Sequence, residues 1–204
     1  MFTLEQFAAL YDLLSTDMVV GDCGIKCGQY CCQTDNTVKY FLPNEDEYFL
    51  NKPLVDFELV DYYLFTSYRS KNKLKNLLGC VCTRELRPFC CRIFPFRPII
   101  DQNILQVTGL KKATGYGFDQ YCWIREPLAD WQIAAIKAWQ MVLDDPDNLK
   151  FYAQHAVFLS KAKRSFAVST SSLLYQIREE LVEMSVNDLW KCAALFFDQL
   201  GKPN

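Results

Sequence analysis

Histidine is nearly missing from this chain: there is one, His155, in 204 residues. A nucleophile activated by imidazole, or a zinc site built on several histidines, would have to use it. His155 flanks an apolar helical pattern, where a structural histidine is expected rather than a base or a ligand. Long hydrophobic runs are missing as well. No stretch of about eighteen apolar residues occurs, so no membrane span is expected. The opening "MFTLEQFAALYDLLSTD" has no basic segment and no small-residue cleavage site, and Glu5, Gln6 and Asp12 interrupt it, so it does not read as a signal peptide. Charge of one sign is also scarce. With 22 basic and 24 acidic residues the net charge is -2, which gives no footprint for nucleic acid. "YRSKNKLKN", residues 68–76, is the only basic run and reads as a solvated face. No phosphate-cradling glycine loop and no catalytic pair of carboxylates stands out. These absences predict a soluble, cytoplasmic protein with no nucleic-acid partner, and they leave open whether it is an enzyme.

Cysteine is what the chain has in excess: ten residues, nine of them between Cys23 and Cys122. Half of the sequence is apolar or aromatic, enough to bury a core without cross-links. Disulfide frameworks belong mostly to small secreted domains that lack such a core. In a reducing compartment, clustered thiols point instead to metal binding or redox chemistry.

Along the chain, Leu4 to Leu14 reads as a helix, with Thr3 and Gln6 set as a capping box and Leu4, Phe7, Ala8, Tyr11 and Leu14 on one face. "TVKYFLP" alternates like a short strand ending at Pro43, and "NEDEYFL" has an asparagine cap and the acidic first turn of a short helix. "FELVDYYLFTSY" fits strand or helix, and its aromatic and β-branched content favours strand. "RPFCCRIFPFRP" holds three prolines in eleven residues and is expected to be an irregular loop. "QVTGLKKATGYGFDQYC" carries turn glycines at 109, 115 and 117, suiting a short hairpin or loop. From Pro127 the pattern turns helical: Trp131, Ala134, Ala135, Ala138, Met141 and Val142 share a face, Pro146 can start the next helix, and "STSSLLYQIREELVEM" and "NDLWKCAALFFDQLG" follow. The expected fold is mainly α, with α+β possible. One integrated domain, 1–204, would join a cysteine-cluster metal-binding part with short strands, 20–125, to a bracing helical bundle, 126–204.

A tetrahedral metal site needs about four soft ligands on chain segments that turn sharply. "GDCGIKCGQYCCQ", residues 21–33, gathers Cys23, Cys27, Cys31 and Cys32, with Gly24 and Gly28 each directly after a cysteine, where a metal knuckle needs conformational freedom. "CVCTRELRPFCCR" adds Cys80, Cys82, Cys90 and Cys91 among Arg84, Arg87 and Arg92, which can offset thiolate charge if they turn inward. In an extended chain two adjacent cysteines point to opposite sides, so one member of Cys31–Cys32 and of Cys90–Cys91 lies outside the coordination sphere unless the backbone turns. Cys122 is a further candidate. Cys192 shares a helix face with Leu189 and Phe196 and reads as a core thiol.

These elements resemble the YkgJ-type cysteine-cluster family, described as a zinc- or iron-chelating domain. Its pattern runs from a Cys-x-x-Cys-Gly-x-Cys-Cys element through a stretch with an acidic helix start to Arg-Pro-x-x-Cys-Arg and aromatic-Pro. "CGIKCGQYCC" looks like the first element, "LPNEDEY" like the middle, and "RPFCCRIFP" like the last, with Arg87, Pro88, Cys91, Arg92 and Pro95 in register. Both gaps in the first element are three residues where the family has two. Before Arg-Pro, Cys82 sits one residue too close and Cys80 one too far, so either can be the equivalent ligand. The resemblance covers about residues 20 to 100; its register favours Cys91 and leaves Cys90 open as either a core residue or a ligand. It implies metal binding, with zinc or an iron–sulfur cluster held by a set drawn from Cys23, Cys27, Cys31, Cys32, Cys80, Cys82 and Cys91; Cys122, outside the resemblance, is a candidate for a further ligand from the hairpin and equally a core thiol. Thiolate-only ligation suits those metals and not magnesium or calcium. The expected function is a structural or chelating metal site; the alternative is an iron–sulfur protein with a redox or catalytic role. A thiol oxidoreductase would call for C-x-x-C, and "CVC" has another spacing.

Overall fold

The computed structural model describes residues 1–21, 41–50, 57–62, 65–70, 87–101, 103–112, 122–154, 184–185 and 188. Helix α1 spans Leu4–Leu13 and begins in the expected capping box: the Thr3 hydroxyl accepts the Gln6 N–H at 3.2 Å, and the Gln6 side chain accepts the Thr3 N–H at 2.8 Å. Its buried residues are Phe7, Leu10 and Tyr11, followed by Leu14 just past its end. Leu4 and Ala8, expected on that face, are exposed. The stripe is rotated toward Leu10 because the helix is covered by two neighbouring helices, Glu45–Leu50 and Ala129–Asp144, rather than by one.

Helix α2, Glu45–Leu50, has the expected acidic first turn. Asn44 is not its side-chain cap. It takes a left-handed conformation, φ 71°, and its amide donates to the Phe2 carbonyl at 3.3 Å. Phe41 and Leu42 lie in no strand; residues 37–40 fall outside the described residues. Strands β1, Phe57–Tyr62, and β2, Phe65–Ser70, pair antiparallel from Phe57 opposite Ser70 to Tyr62 opposite Phe65. The stretch that fitted either state is thus extended and divided into two strands.

The proline-rich stretch departs from the expected loop. Phe89–Ile93 form a short helix, α3, and Phe96–Asp101 form strand β3, with a cis Phe94–Pro95 peptide between them. The prolines permit this by position. Pro88 stands just before the first turn, where a missing N–H costs no helical bond, and Pro98 lies in a sheet that has two strands among the described residues. Strand β4, Gln106–Lys112, pairs with β3 across a bulge after Ile99, so Gly109 lies inside a strand, opposite Ile99, and not at a turn. The turn lies at 103–105, where Leu105 has φ 52°.

Helix α4, Ala129–Asp144, organises the core. It buries Trp131, Ala135, Ala138, Trp139, Val142 and Leu143. Trp139 and Leu143 join the expected stripe, while Ala134 and Met141 are only half-buried. Gln140 grips the hairpin from this helix: its side-chain oxygen accepts the Val107 N–H at 2.8 Å and its amide donates to the Leu105 carbonyl at 3.3 Å. Residues 146–154 are helical, begun as expected by Pro146, with the Asp145 carboxylate accepting the Asn148 N–H at 2.9 Å. The opening segment lies against α4. Leu128 N–H donates to Met18 carbonyl at one end, and the Met1 amine meets Asp145 and Asp147 at the other.

The described part is therefore helices with two small antiparallel sheets. No helix among the described residues is long and apolar enough to cross a membrane.

Candidate functional site

The second cysteine cluster is anchored by charge. Glu45, the first residue of α2, has no exposed surface. Its Oε2 accepts the Leu42 N–H at 2.6 Å, and its Oε1 accepts both the Phe89 N–H at 2.6 Å and the Tyr11 hydroxyl. Phe89 opens α3, and its N–H is one of the donors that a helix leaves without an internal partner. Pro88 before it makes no side-chain cap bond, so the carboxylate of a distant segment does the capping. In this way the acidic "LPNEDEY" stretch and the "RPFCCRIFP" stretch are brought into direct contact.

The opposite end of α3 is held to the same tyrosine. Arg92 turns inward, its guanidinium 4.3 Å from the centre of the Tyr11 ring. Its Nε donates to the Arg87 carbonyl at 2.9 Å and its Nη1 to the Tyr11 carbonyl at 3.3 Å. Tyr11 lies in the last turn of α1, where the dipole favours a cation. Arg87 is also buried; Arg84 falls outside the described residues. Beneath α3, Phe89 is fully buried and meets Trp139 edge-on, with ring centres 4.8 Å apart.

Burial pushes the Glu45 carboxyl up to about 7, against the lowering effect of the Phe89, Tyr11 and Leu42 donors, and charge on Cys91 adds a smaller upward push. Burial, followed by the Glu45 charge, drives Tyr11 well above its ordinary value; Arg92 opposes this and charge on Cys90 contributes to it. Both thiols therefore sit within electrostatic reach of the knot.

Cys90 and Cys91 lie on α3, half-buried, with sulfurs 3.9 Å apart and in no disulfide. Helical backbone turns each residue by about 100° rather than the half-turn of an extended chain, which lets neighbours face one side. The family register favours Cys91 and leaves Cys90 as good a core residue as a ligand; the helical turn after Pro88 keeps both sulfurs within reach of one centre. Cys122 is half-buried against the core, and its carbonyl accepts the Lys112 ammonium at 2.8 Å. Among the described residues no three cysteine, histidine or acidic side chains gather as a metal group. Cys23, Cys27, Cys31, Cys32, Cys80, Cys82, Cys192 and His155 fall outside the described residues.

The pair fits a metal chemically. Bonds of about 2.3 Å from zinc to thiolate place two sulfurs of a tetrahedron about 3.8 Å apart. Two thiols supply half of such a sphere, and the others would have to come from elsewhere in the chain. Comparisons with family models, with curated proteins and with solved structures found no match.

Proposed function

We propose that this chain is a metal-binding cysteine-cluster protein whose thiolates hold zinc or iron at a structural or chelating site. The observation that carries the reading is the 3.9 Å separation of the Cys90 and Cys91 sulfurs, the edge length of a tetrahedral thiolate site. Cys90 and Cys91 supply two donors, and the remainder come from Cys23, Cys27, Cys31, Cys32, Cys80, Cys82 and Cys122. That donor set is soft, which favours zinc or an iron–sulfur cluster and disfavours hard cations. It works in a reducing, cytoplasmic setting where thiols persist. The metal joins cysteine-bearing segments to one another, and the helical part, 126–204, braces them, so metal binding contributes directly to folding.

The test is elemental analysis with a visible spectrum on protein purified without oxygen and without a histidine tag. Colourless protein with stoichiometric zinc is the expected result. Brown protein with iron and acid-labile sulfide selects the iron–sulfur alternative. Protein with neither metal, from cells supplied with both, overturns the proposal. Cys91→Ser is expected to lower metal content and soluble yield, and Cys192→Ser to change neither.

A further inference from the structure

We propose that Glu45 is the positioning residue of the Cys90–Cys91 pair, and that the pair so held is a bidentate chelate for one thiophilic centre, trivalent arsenic included. The inference rests on reading the two cysteines as ligands and adds what fixes their geometry.

Helix α3 has five residues, too few to hold a helical turn by their own hydrogen bonds. Its shape is imposed from outside, at the residues on either side of the pair. Before the pair, the Phe89 N–H is bound by Glu45 at 2.6 Å. After it, Arg92 is bound to the Tyr11 and Arg87 carbonyls and laid over the Tyr11 ring. Glu45 is itself fixed by the Leu42 N–H and the Tyr11 hydroxyl. Tyr11 is thus common to both clamps, and the thiols between them stay half-exposed. A chelate whose two donors are already held close together, here 3.9 Å apart, loses less conformational freedom on binding than two independent thiols do.

The position suits a carboxyl group. Glu45 takes three donors on two oxygens, whereas a glutamine offers a single oxygen and must turn its NH2 toward one of those donors. Glu45→Gln keeps the size of the side chain and removes one acceptor.

Phenylarsine oxide is the probe, added to reduced, metal-free full-length protein. Two As–S bonds form, the As–O bond breaks, and both thiol protons leave with the oxygen as water; nothing is oxidised or reduced. Wild type is expected to take up one equivalent that Cys90→Ser lacks. In Glu45→Gln, with an unchanged far-UV circular dichroism spectrum, the affinity of that equivalent should fall about tenfold, as when a group supporting a metal ligand is lost. Alkylation of the same two thiols by iodoacetamide should keep its wild-type rate, because single-thiol chemistry does not need the pair's geometry. Wild-type arsenical affinity in folded Glu45→Gln overturns the proposal. So does faster alkylation, which would mean general loosening, and so does full uptake by Cys90→Ser. If Glu45→Gln fails to fold, Tyr11→Phe decides: a loss of a few-fold supports the positioning role, and no loss overturns it. Metal content of the protein as isolated is a separate measurement. Its absence would remove the proposed function without altering the arsenical result.

Discussion

The Tyr11 hydroxyl donates to a Glu45 carboxylate that has no exposed surface. Phenylalanine at position 11 would retain the ring's stacking on Tyr48, at 5.0 Å, and its edge contact with Phe49, at 5.6 Å. Tyr11→Phe therefore isolates the hydroxyl. A hydrogen bond to a buried charged group contributes about 2 kcal/mol, and urea unfolding of the variant should show a loss of that order. An unchanged midpoint would mean that the two backbone N–H groups satisfy Glu45 alone.

Stability should fall as pH rises through the range in which Glu45 ionises. Burial pushes its carboxyl up to about 7 in the folded protein from an ordinary 4.5, so the folded state holds the extra proton between those values. Its contribution is fully present below 4.5 and is lost as pH passes about 7, a change on the order of 3 kcal/mol. Unfolding free energies of wild type and Glu45→Gln, measured from pH 4.5 to 8, should converge toward high pH. Parallel curves would assign the pH dependence to other groups.

Arg92→Lys should behave as a disruptive substitution. The flat guanidinium reaches two carbonyls while lying over the Tyr11 ring, and an ammonium on a flexible stem cannot reproduce that arrangement. A loss of about 2 kcal/mol corresponds to a melting temperature lower by about 4 to 8 °C in a chain of this size. Melting at the wild-type temperature would show that charge alone matters there.

Asp145 and Asp147 both meet the Met1 amine, and only Asp145 accepts the Asn148 N–H. Asp145→Ala should cost about 1 kcal/mol through the lost cap. Asp147→Ala, which removes only an exposed ion pair, should leave the melting temperature unchanged. Equal effects would shift the explanation from the cap to the amine.

Local signals were the legible ones. Thr3 and Gln6 start α1 through bonds three residues apart, and Pro146 marks a helix start through its own ring. What depends on distant contacts was not. Nothing in "NEDEYFL" says which of three acidic residues is buried, because Glu45 is selected by the N–H of Phe89, 44 positions later. The α1 face was misread at Leu4 and Ala8 for the same reason: its orientation follows from α2 and α4. Counting prolines obscured α3, since Pro88 and Pro95 bracket a helical turn without entering it. Of the cysteine site, the structure bears on Cys90, Cys91 and Cys122, and it brings the first two together. The sequence leaves Cys90 open between core and ligand, because side-chain direction in adjacent residues depends on whether the backbone turns there.

The opening segment is tied to both ends of α4, with bonds between Met18 and Leu128 and between Met1 and Asp147, the latter 146 positions apart. Such closure orders the kinetics of assembly. Phe7, Leu10 and Leu14 leave the ribosome long before the helix that covers them. At about 5 to 20 residues per second, α1 waits roughly 7 to 26 s for α4 to be synthesised. Contacts of such high sequence separation also slow folding after synthesis is complete. In that interval an apolar face lies open, the kind of transiently exposed surface that makes a nascent chain prone to aggregation.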